Sequence, residues 1–376
     1  MPHTLFCPSS RPDTSPRITA LALDQSPPAT GFHGRLACFL STGEFSLYNI
    51  DHQTPAASSR LFTFVPSRRS TRTAPIVQAV YHHPLLVTLS QTFHLSLYDL
   101  TDDTVTHTQT LSSFTSYPPS SLVLSTPTPS TYKLVLAYAI PVYPEHWTAG
   151  ATELMISNSG SERMVVTNTR TARAIDVPQG WVDEQKMRAV REQWSRKVAR
   201  VADTQTDGKW VVLAPGQKLP SELVASSASA DTSSPPSSPS SGGYTSSSLH
   251  SASGLQLYRL HLPSSLSSSS SPKLTFVRTL HGQIGPVSAL ALADGRCVSL
   301  GVNGSLWVWD IEAGTGTEVS SGISESSVDD ADEEGAEAWS DVMRRMASGA
   351  RGTVVFDDRR IVTSSARGVE IRRFDI

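Results

Sequence analysis

The chain has 376 residues, of which 38% are apolar and 17% charged, and a net charge of −3. This balance argues against general affinity for nucleic acid or for anionic membranes, because both require a strong basic excess. Its three cysteines, Cys7, Cys38 and Cys297, are far apart and odd in number, which suits a reducing compartment and gives no disulfide framework or metal cluster. No apolar run is typical of a signal peptide or a membrane span, so cytosol or nucleus is the expected location.

Short runs of β-forming residues begin near the N-terminus and recur along most of the chain, separated by Gly, Pro, Asn and Asp. They alternate apolar and polar side chains over about five to eight residues, which is the pattern of half-buried strands. The clearest runs lie at residues 17–23, 35–40, 45–50, 76–81, 85–89, 94–100, 122–125 and 133–140. No convincing amphipathic helix precedes residue 180, so the sequence predicts an all-β fold.

The strands also repeat as units. Five of them end in an aromatic residue followed by a polar one: FSLYNI (45–50), LSLYDL (95–100), LQLYRL (255–260), LWVWDI (306–311) and IRRFDI (371–376). A unit of about 50 residues with four strands is typical of propeller blades rather than of a sandwich. We therefore predict one β-propeller domain over residues 1–376 with six to seven blades. Six are recognisable, at residues 17–51, 76–100, 120–177, 205–262, 275–311 and 352–376.

The one clear helix is predicted within residues 178–204. Five apolar residues recur there at spacings of three and four and form one stripe: Met187, Val190, Trp194, Val198 and Val201. Cationic residues occupy the other faces: Lys186, Arg188, Arg191, Arg196, Lys197 and Arg200. We expect the stripe to pack on the propeller rim and the basic side to face solvent. The alternative is a docking surface for an acidic partner.

Three further segments interrupt the strand pattern. Residues 221–253 and 263–272 are rich in Ser and Pro and bury too little apolar surface to offset their ordering entropy, which predicts disorder. Residues 315–347 contain the run VDDADEEGAE and are predicted to be an acidic solvated loop. Ser234 and Ser238 precede prolines and are candidate sites for proline-directed phosphorylation.

The best-preserved unit, LHGQIGPVSALALADGRCVSLGVNGSLWVWDI (280–311), resembles a WD repeat over its whole length. Its Asp-Gly and Asn-Gly pairs predict tight hairpin turns. In the WD family a His, a Ser, an Asp and a Trp form a buried hydrogen-bond network within each blade. The matching positions here are Gln283, Ser299, Asn303 and Trp309. Two of the four are neutral amides that still donate and accept, so the resemblance implies a weaker network, an intact blade and no catalytic role.

The middle of the chain shows a closer resemblance. The runs KLVLAYAIPVYPEHWTAGATELMIS (133–157) and TNTRTARAIDVPQGWVDEQKMRAVREQWSRKVARVADTQTDGKWVVLAPG (167–216) resemble the signature insertion of fungal F-box proteins with WD-type propellers. In that family an upstream F-box recruits a cullin-type ubiquitin ligase, and the propeller captures the substrate. This sequence departs from the family because it shows no F-box. LPSEL (219–223) matches only the opening of that motif and runs directly into Ser/Pro-rich sequence.

No motif for catalysis or cofactor binding stands out. Phosphate-binding glycine loops, zinc spacings, calcium loops and the G-x-S-x-G elbow have no match, so we predict no enzyme activity, no cofactor and no metal. In the family, arginines around the central channel bind phosphorylated degrons. Arg296, Arg372 and Arg373 lie in blade strands here, but the sequence does not show that they converge.

The leading hypothesis is a protein-binding propeller that serves as the substrate-recognition part of an F-box type ubiquitin ligase subunit. The alternative is a WD-repeat scaffold that assembles a complex without ubiquitin transfer. A catalytic propeller is disfavoured, since acidic or His residues do not recur at matched positions on different blades. We expect a monomer within a larger complex, with protein partners and without nucleic acid or membrane.

Overall fold

The fold is a six-bladed β-propeller, each blade being one β-sheet whose strands follow one another in chain order. The computed structural model describes residues 7–10, 16–27, 33–51, 53–66, 74–101, 104–142, 145–159, 163–176, 180–216, 254–263, 271–283, 285–321, 352–365 and 368–373. The all-β prediction is confirmed, and six is the lower of the two predicted blade numbers. None of the helices formed by these residues is long and apolar enough to cross a membrane.

The chain divides into two compact units. Unit 1 comprises Met1–Tyr138, Ala151–Ala172 and Ser269–Pro272, and unit 2 comprises Ala139–Gly150, Arg173–Ser268 and Lys273–Ile376. Sheet 3 contributes residues to both units. Its four strands are β9 (Tyr117–Thr128), β10 (Thr131–Val142), β11 (His146–Ser159) and β12 (Arg163–Arg173).

Unit 1 also contains sheets 1 and 2. Sheet 1 is formed by β1 (Ile18–Leu23), β2 (His33–Leu40), β3 (Phe45–Asp51) and β4 (Ser59–Phe64), with a 3-10 turn at Pro55–Ala57. Sheet 2 is formed by β5 (Ile76–His82), β6 (Leu85–Ser90), β7 (His94–Asp99) and β8 (Thr106–Ser112). The two sheets share one core that includes Phe39, Phe45, Tyr81 and Leu86. Burying such side chains is worth about 1.5–3 kcal/mol each, which fixes the register of both sheets.

Unit 2 contains the other three sheets and α1 (Glu184–Ser195). Sheet 4 is formed by β13 (Val201–Thr206), β14 (Trp210–Pro215), β15 (Leu255–His261) and β16 (Lys273–Leu280). Sheet 5 is formed by β17 (Val287–Ala293), β18 (Arg296–Gly301), β19 (Leu306–Asp310) and β20 (Thr315–Ser320). Sheet 6 has three strands within the described residues, namely β21 (Thr353–Phe356), β22 (Arg360–Ser365) and β23 (Gly368–Arg373).

The five recurring endings of the sequence are the third strands of five sheets. They supply β3, β7, β15, β19 and β23, and the aromatic residues of the first four are Tyr48, Tyr98, Tyr258 and Trp309. Opposite the three tyrosines, the pairing between the third and fourth strands shifts by one residue in sheets 1, 2 and 4, whereas in sheet 5 the shift lies between Leu306 and Trp307, ahead of Trp309. A bulge of this kind increases the local twist of the strands. The repeated sequence therefore coincides with a local increase in strand twist as well as with the packing of the blade.

The best-preserved unit forms its two predicted hairpin turns. Asp294 and Gly295 both have positive φ, 47° and 73°, at the turn between β17 and β18. At the turn between β18 and β19, Gly304 alone has positive φ, 90°, and Asn303 stays in the ordinary region. A side chain with Cβ is disfavoured in that conformation, so glycine is required at these two points.

Two predicted insertions have different boundaries in the structure. The helix is shorter than residues 178–204: it begins after Asp183, whose side chain accepts a hydrogen bond from Lys186 N at 2.8 Å, and ends at Ser195. Thr315–Ser320, which the prediction placed in the acidic loop, instead form β20 and pair with β19. The segments 221–253 and 322–347, most of 263–272, the LPSEL motif, Ser234 and Ser238 lie outside the described residues.

Candidate protein-binding surfaces

Sheet 5 contains the four positions that correspond to the WD hydrogen-bond network. Trp309 Nε1 donates to Ser299 Oγ at 2.8 Å, and Ser299 Oγ donates to Gln283 Oε1 at 2.6 Å. Trp309 and Ser299 are fully buried, so their polar atoms have exchanged water for each other. The chain of bonds fastens β18 and β19 to the segment that precedes β17.

Asn303 takes no part in that chain of bonds. Its Oδ1 accepts a hydrogen bond from Ser305 N at 3.0 Å and so closes the turn between β18 and β19. Gln283 Nε2 is buried and has no hydrogen-bond partner among the residues that the structure describes. The structure thus links Gln283, Ser299 and Trp309 by hydrogen bonds, whereas Asn303 acts only within its turn.

Sheet 1 has a cysteine and a tyrosine where sheet 5 has the serine and the tryptophan of its hydrogen-bond network. By strand register, Cys38 corresponds to Ser299 and Tyr48 to Trp309. The Cys7 thiol, from the segment before β1, interacts with both side chains. Burial raises the pKa of Cys38 to about 12, with the Cys7 contact adding to the effect, and burial likewise raises the pKa of Tyr48. The Cys38 thiol is therefore protonated at neutral pH and serves packing.

The N-terminal part of α1 and the residues before it present an unusual surface. Trp181 is 87% exposed and Met187 is 41% exposed, and no residue of the helix is buried. Lys186, Arg188 and Arg191 of the same helix are exposed as well. We call these five residues the Trp181 surface. The predicted apolar stripe is therefore only partly packed, because Val198 and Val201, its buried members, follow the end of the helix.

The C-terminal end of α1 is fixed to unit 2 by several contacts. Gln256 Nε2 of β15 donates to the Arg196 carbonyl at 2.6 Å, and the Arg196 guanidinium lies 4.5 Å above the ring of Phe276. Val198 and Trp147 exchange two backbone hydrogen bonds of 2.7 and 2.9 Å. The helix is thus held at one end while its other end is open to solvent.

Two other groups of exposed apolar side chains lie on strands. In unit 1, β1 exposes Ile18, Leu21 and Leu23. In unit 2, sheet 6 exposes Val355, Val369 and Ile371. Where exposed apolar side chains adjoin one another, they are candidates for contact surfaces.

The arginines considered as phosphate ligands have local neighbours. Arg372 forms an ion pair of 2.7 Å with Glu370 on the same strand, and Arg296 is opposite Asp310 in the register of sheet 5. Arg373 is opposite Arg360. Within the described ranges, no three His, Cys, Asp or Glu side chains gather in a way that could hold a metal ion.

Comparison with known proteins identifies the family. Residues 5–374 match the family described as F-box protein pof12 beta-propeller, and no curated protein matches significantly. Similar solved structures include Saccharomyces cerevisiae Sqt1, with 10% identity over 95% of this chain and 82% of that one and a TM-score of 0.39. The Cps50 (Swd1) β-propeller domain of Myceliophteria thermophila has 10% identity over 95% and 84%, with a TM-score of 0.42. The resemblance noted in the sequence is confirmed: the chain belongs to the pof12 β-propeller family of F-box proteins.

Proposed function

We propose that this propeller binds proteins as the substrate-recognition part of an F-box type ubiquitin ligase subunit. The observation that carries the proposal is the family match over residues 5–374, which includes nearly the whole propeller. In such a subunit the propeller performs no bond chemistry. It holds a substrate near the ligase and so raises the substrate's effective concentration at the ubiquitin-transferring partner.

The side chains of the propeller support a binding role rather than a catalytic one. The Ser299 hydroxyl, the Trp309 indole N–H and the Gln283 side-chain oxygen bond to one another within this blade. Burial raises the pKa values of Cys38 and Cys297 and so keeps both thiols protonated and weakly nucleophilic. The Trp181 surface, by contrast, leaves an aromatic ring and three cations exposed to solvent. We accordingly propose a non-enzymatic protein of the cytosol or nucleus.

A scaffold that assembles a complex without ubiquitin transfer is the second candidate, because a propeller with an exposed aromatic and basic surface suits it equally. Purification of the native full-length product, followed by quantitative mass spectrometry, separates the two. The ligase role predicts a cullin and its F-box adaptor in stoichiometric amounts, together with partners that accumulate when the proteasome is inhibited. A stable complex that lacks both ligase components would overturn the ligase role and favour the scaffold.

A further inference from the structure

We propose that the Trp181 surface is a docking site for an acidic segment of a partner protein that carries at least one apolar side chain. The inference rests on the proposed protein-binding function and adds the location of a binding surface and the chemistry of its occupant. The surface comprises Trp181, Lys186, Met187, Arg188 and Arg191.

The first argument is the exposure of Trp181. An indole ring that is 87% exposed keeps a large apolar area in water, and Met187 adds to it at 41% exposure. Tryptophan is among the residues that contribute most to binding free energy at protein interfaces, since it combines a large apolar ring with one N–H donor. The partner should therefore supply an apolar side chain that covers the ring.

The second argument is charge. Residues 181–200 carry six Lys and Arg but only three Asp and Glu, in a chain whose net charge is −3. Arg191 has no ion-pair partner within the described residues, and Arg188 pairs only with Glu184, at 2.6 Å, in a bond between two largely exposed side chains. Exposed pairs of this kind contribute at most about 1 kcal/mol, so a partner carboxylate can replace Glu184 as the acceptor at little cost. Arginine also binds carboxylates through two parallel hydrogen bonds.

The third argument is the way the helix is held. Asp183 caps its first turn, and Lys186 Nζ donates to the Trp181 carbonyl at 2.9 Å, which ties the tryptophan backbone to the helix. The opposite end is fixed through Arg196 and Val198. A surface that is already ordered loses less conformational entropy on binding. Because no residue of α1 is buried, the Trp181 surface is not part of the core that stabilises unit 2.

The mixed composition favours a protein segment over a lipid surface. Asp183, Glu184 and Glu192 are interspersed among the six cations of residues 181–200 and leave a net charge of only +3, which is weaker than an uninterrupted basic cluster of four to eight residues that binds anionic membranes. An acidic peptide with one apolar residue matches both the cations and the exposed ring. Its carboxylates would pair with Arg188 and Arg191, while its apolar side chain would cover Trp181.

The test uses the full chain and a fluorescein-labelled peptide of ten residues, eight Glu and two Leu. We expect saturable binding by fluorescence anisotropy with a Kd that weakens at least threefold between 50 and 300 mM NaCl, as an electrostatic contact requires. The triple variant K186E/R188E/R191E should weaken binding at least tenfold, and Trp181→Ala at least threefold. A control triple variant, R163E/K273E/R296E, makes the same charge change at other exposed positions and should retain binding within twofold.

Several outcomes overturn the docking site. One is equal loss of binding in the two triple variants, which would reduce the effect to net charge. Another is equal binding of a peptide with Gln in place of Glu, and a third is binding to phosphatidylserine vesicles but not to the peptide. Thermal unfolding of each variant shows that it is folded. Recovery of the cullin and the adaptor with the full-length product is a separate measurement. If the peptide does not bind, that measurement still tests the ligase role. If the ligase components are not recovered, peptide binding still tests the docking site.

Discussion

Trp309 on β19 donates a hydrogen bond of 2.8 Å to Ser299 on β18, and both side chains are fully buried. Ser299→Ala should therefore leave the indole N–H without an acceptor and Gln283 Oε1 without its donor. An unsatisfied buried polar group costs about 1–3 kcal/mol, so we expect the free energy of unfolding to fall by about 2 kcal/mol. Urea unfolding measures the change. Ser320→Ala, at the half-buried end of β20, is the matched control and should change stability by less than about 0.5 kcal/mol.

A second prediction concerns the hydrogen bond between sheets 4 and 5. Asp203 Oδ2 of β13 accepts from Leu290 N of β17 at 2.7 Å. Asp203→Ala should remove the acceptor of this amide and destabilise unit 2 by about 2 kcal/mol, whereas Asp203→Asn keeps an oxygen acceptor and should cost less. Hydrogen exchange at the Leu290 amide reports the bond directly and should accelerate in Asp203→Ala. Unchanged exchange in that variant would contradict the assignment.

The same kind of link occurs between other first strands. Gln78 and Ser120 bond between β5 and β9, and Gly352 N donates to Ser288 Oγ at 2.7 Å between β21 and β17. Each of these links lies beside a bulge near the start of β5, β13 or β17, where the register with the following strand shifts. The repeat therefore also encodes where a polar side chain reaches the next blade.

The third strands were the part of the fold that the sequence predicted best. Those of sheets 1, 2, 4 and 5 combine buried apolar residues with an aromatic residue near the end of the strand, and burial imposes such a pattern strongly. The fourth strands of sheets 1, 2 and 5 escaped detection because they lie at the outer edge, where side chains are half-exposed and burial imposes little pattern. Among them, Thr315–Ser320 was assigned to a loop.

The candidate sites were predicted unevenly for a similar reason. The hydrogen bond from Trp309 to Ser299 could be predicted from a motif within one blade, since the two residues are ten apart in sequence. The contact between Cys7 and Cys38 and the bond between Asp203 and Leu290 join segments that only the assembled sheets bring together. The helix prediction made a different error, because it included Val198 in the apolar stripe of the helix. Val198 is buried, but it lies beyond the end of α1 and pairs with Trp147 in a β-bridge.

The three cysteines should differ in reactivity. Cys7 is half-exposed, whereas Cys38 and Cys297 are buried and burial raises the pKa of both thiols. Because the thiolate is the nucleophile, iodoacetamide at pH 8 should modify Cys7 first, with the other two reacting only in urea. Mass spectrometry of tryptic peptides gives the order of modification. Prior or equal labelling of Cys297 in the native protein would contradict the packing of sheet 5.

The last prediction is a loss of stability at alkaline pH that depends on Tyr258. Burial raises the pKa of its phenol to about 12, and its hydroxyl donates to Gln256 Oε1 at 2.6 Å. In the unfolded chain a tyrosine titrates near pH 10, so between about pH 10 and 12 the unfolded state loses this proton while the folded state keeps it. The stabilisation from Tyr258 is therefore complete below pH 10 and declines as the pH rises towards 12, by at most about 1.4 kcal/mol per pH unit.

Tyr258→Phe makes this loss measurable. The variant lacks the bond to Gln256, so it should be less stable than the wild type at pH 8. It also lacks the ionisable phenol, so its free energy of unfolding should fall less steeply above pH 10. The difference between the two proteins in urea unfolding should consequently shrink from pH 8 to pH 11.5, since every other titrating group is common to both. A difference that stays constant over this range would mean that the Tyr258 phenol is not protected from ionisation in the folded blade.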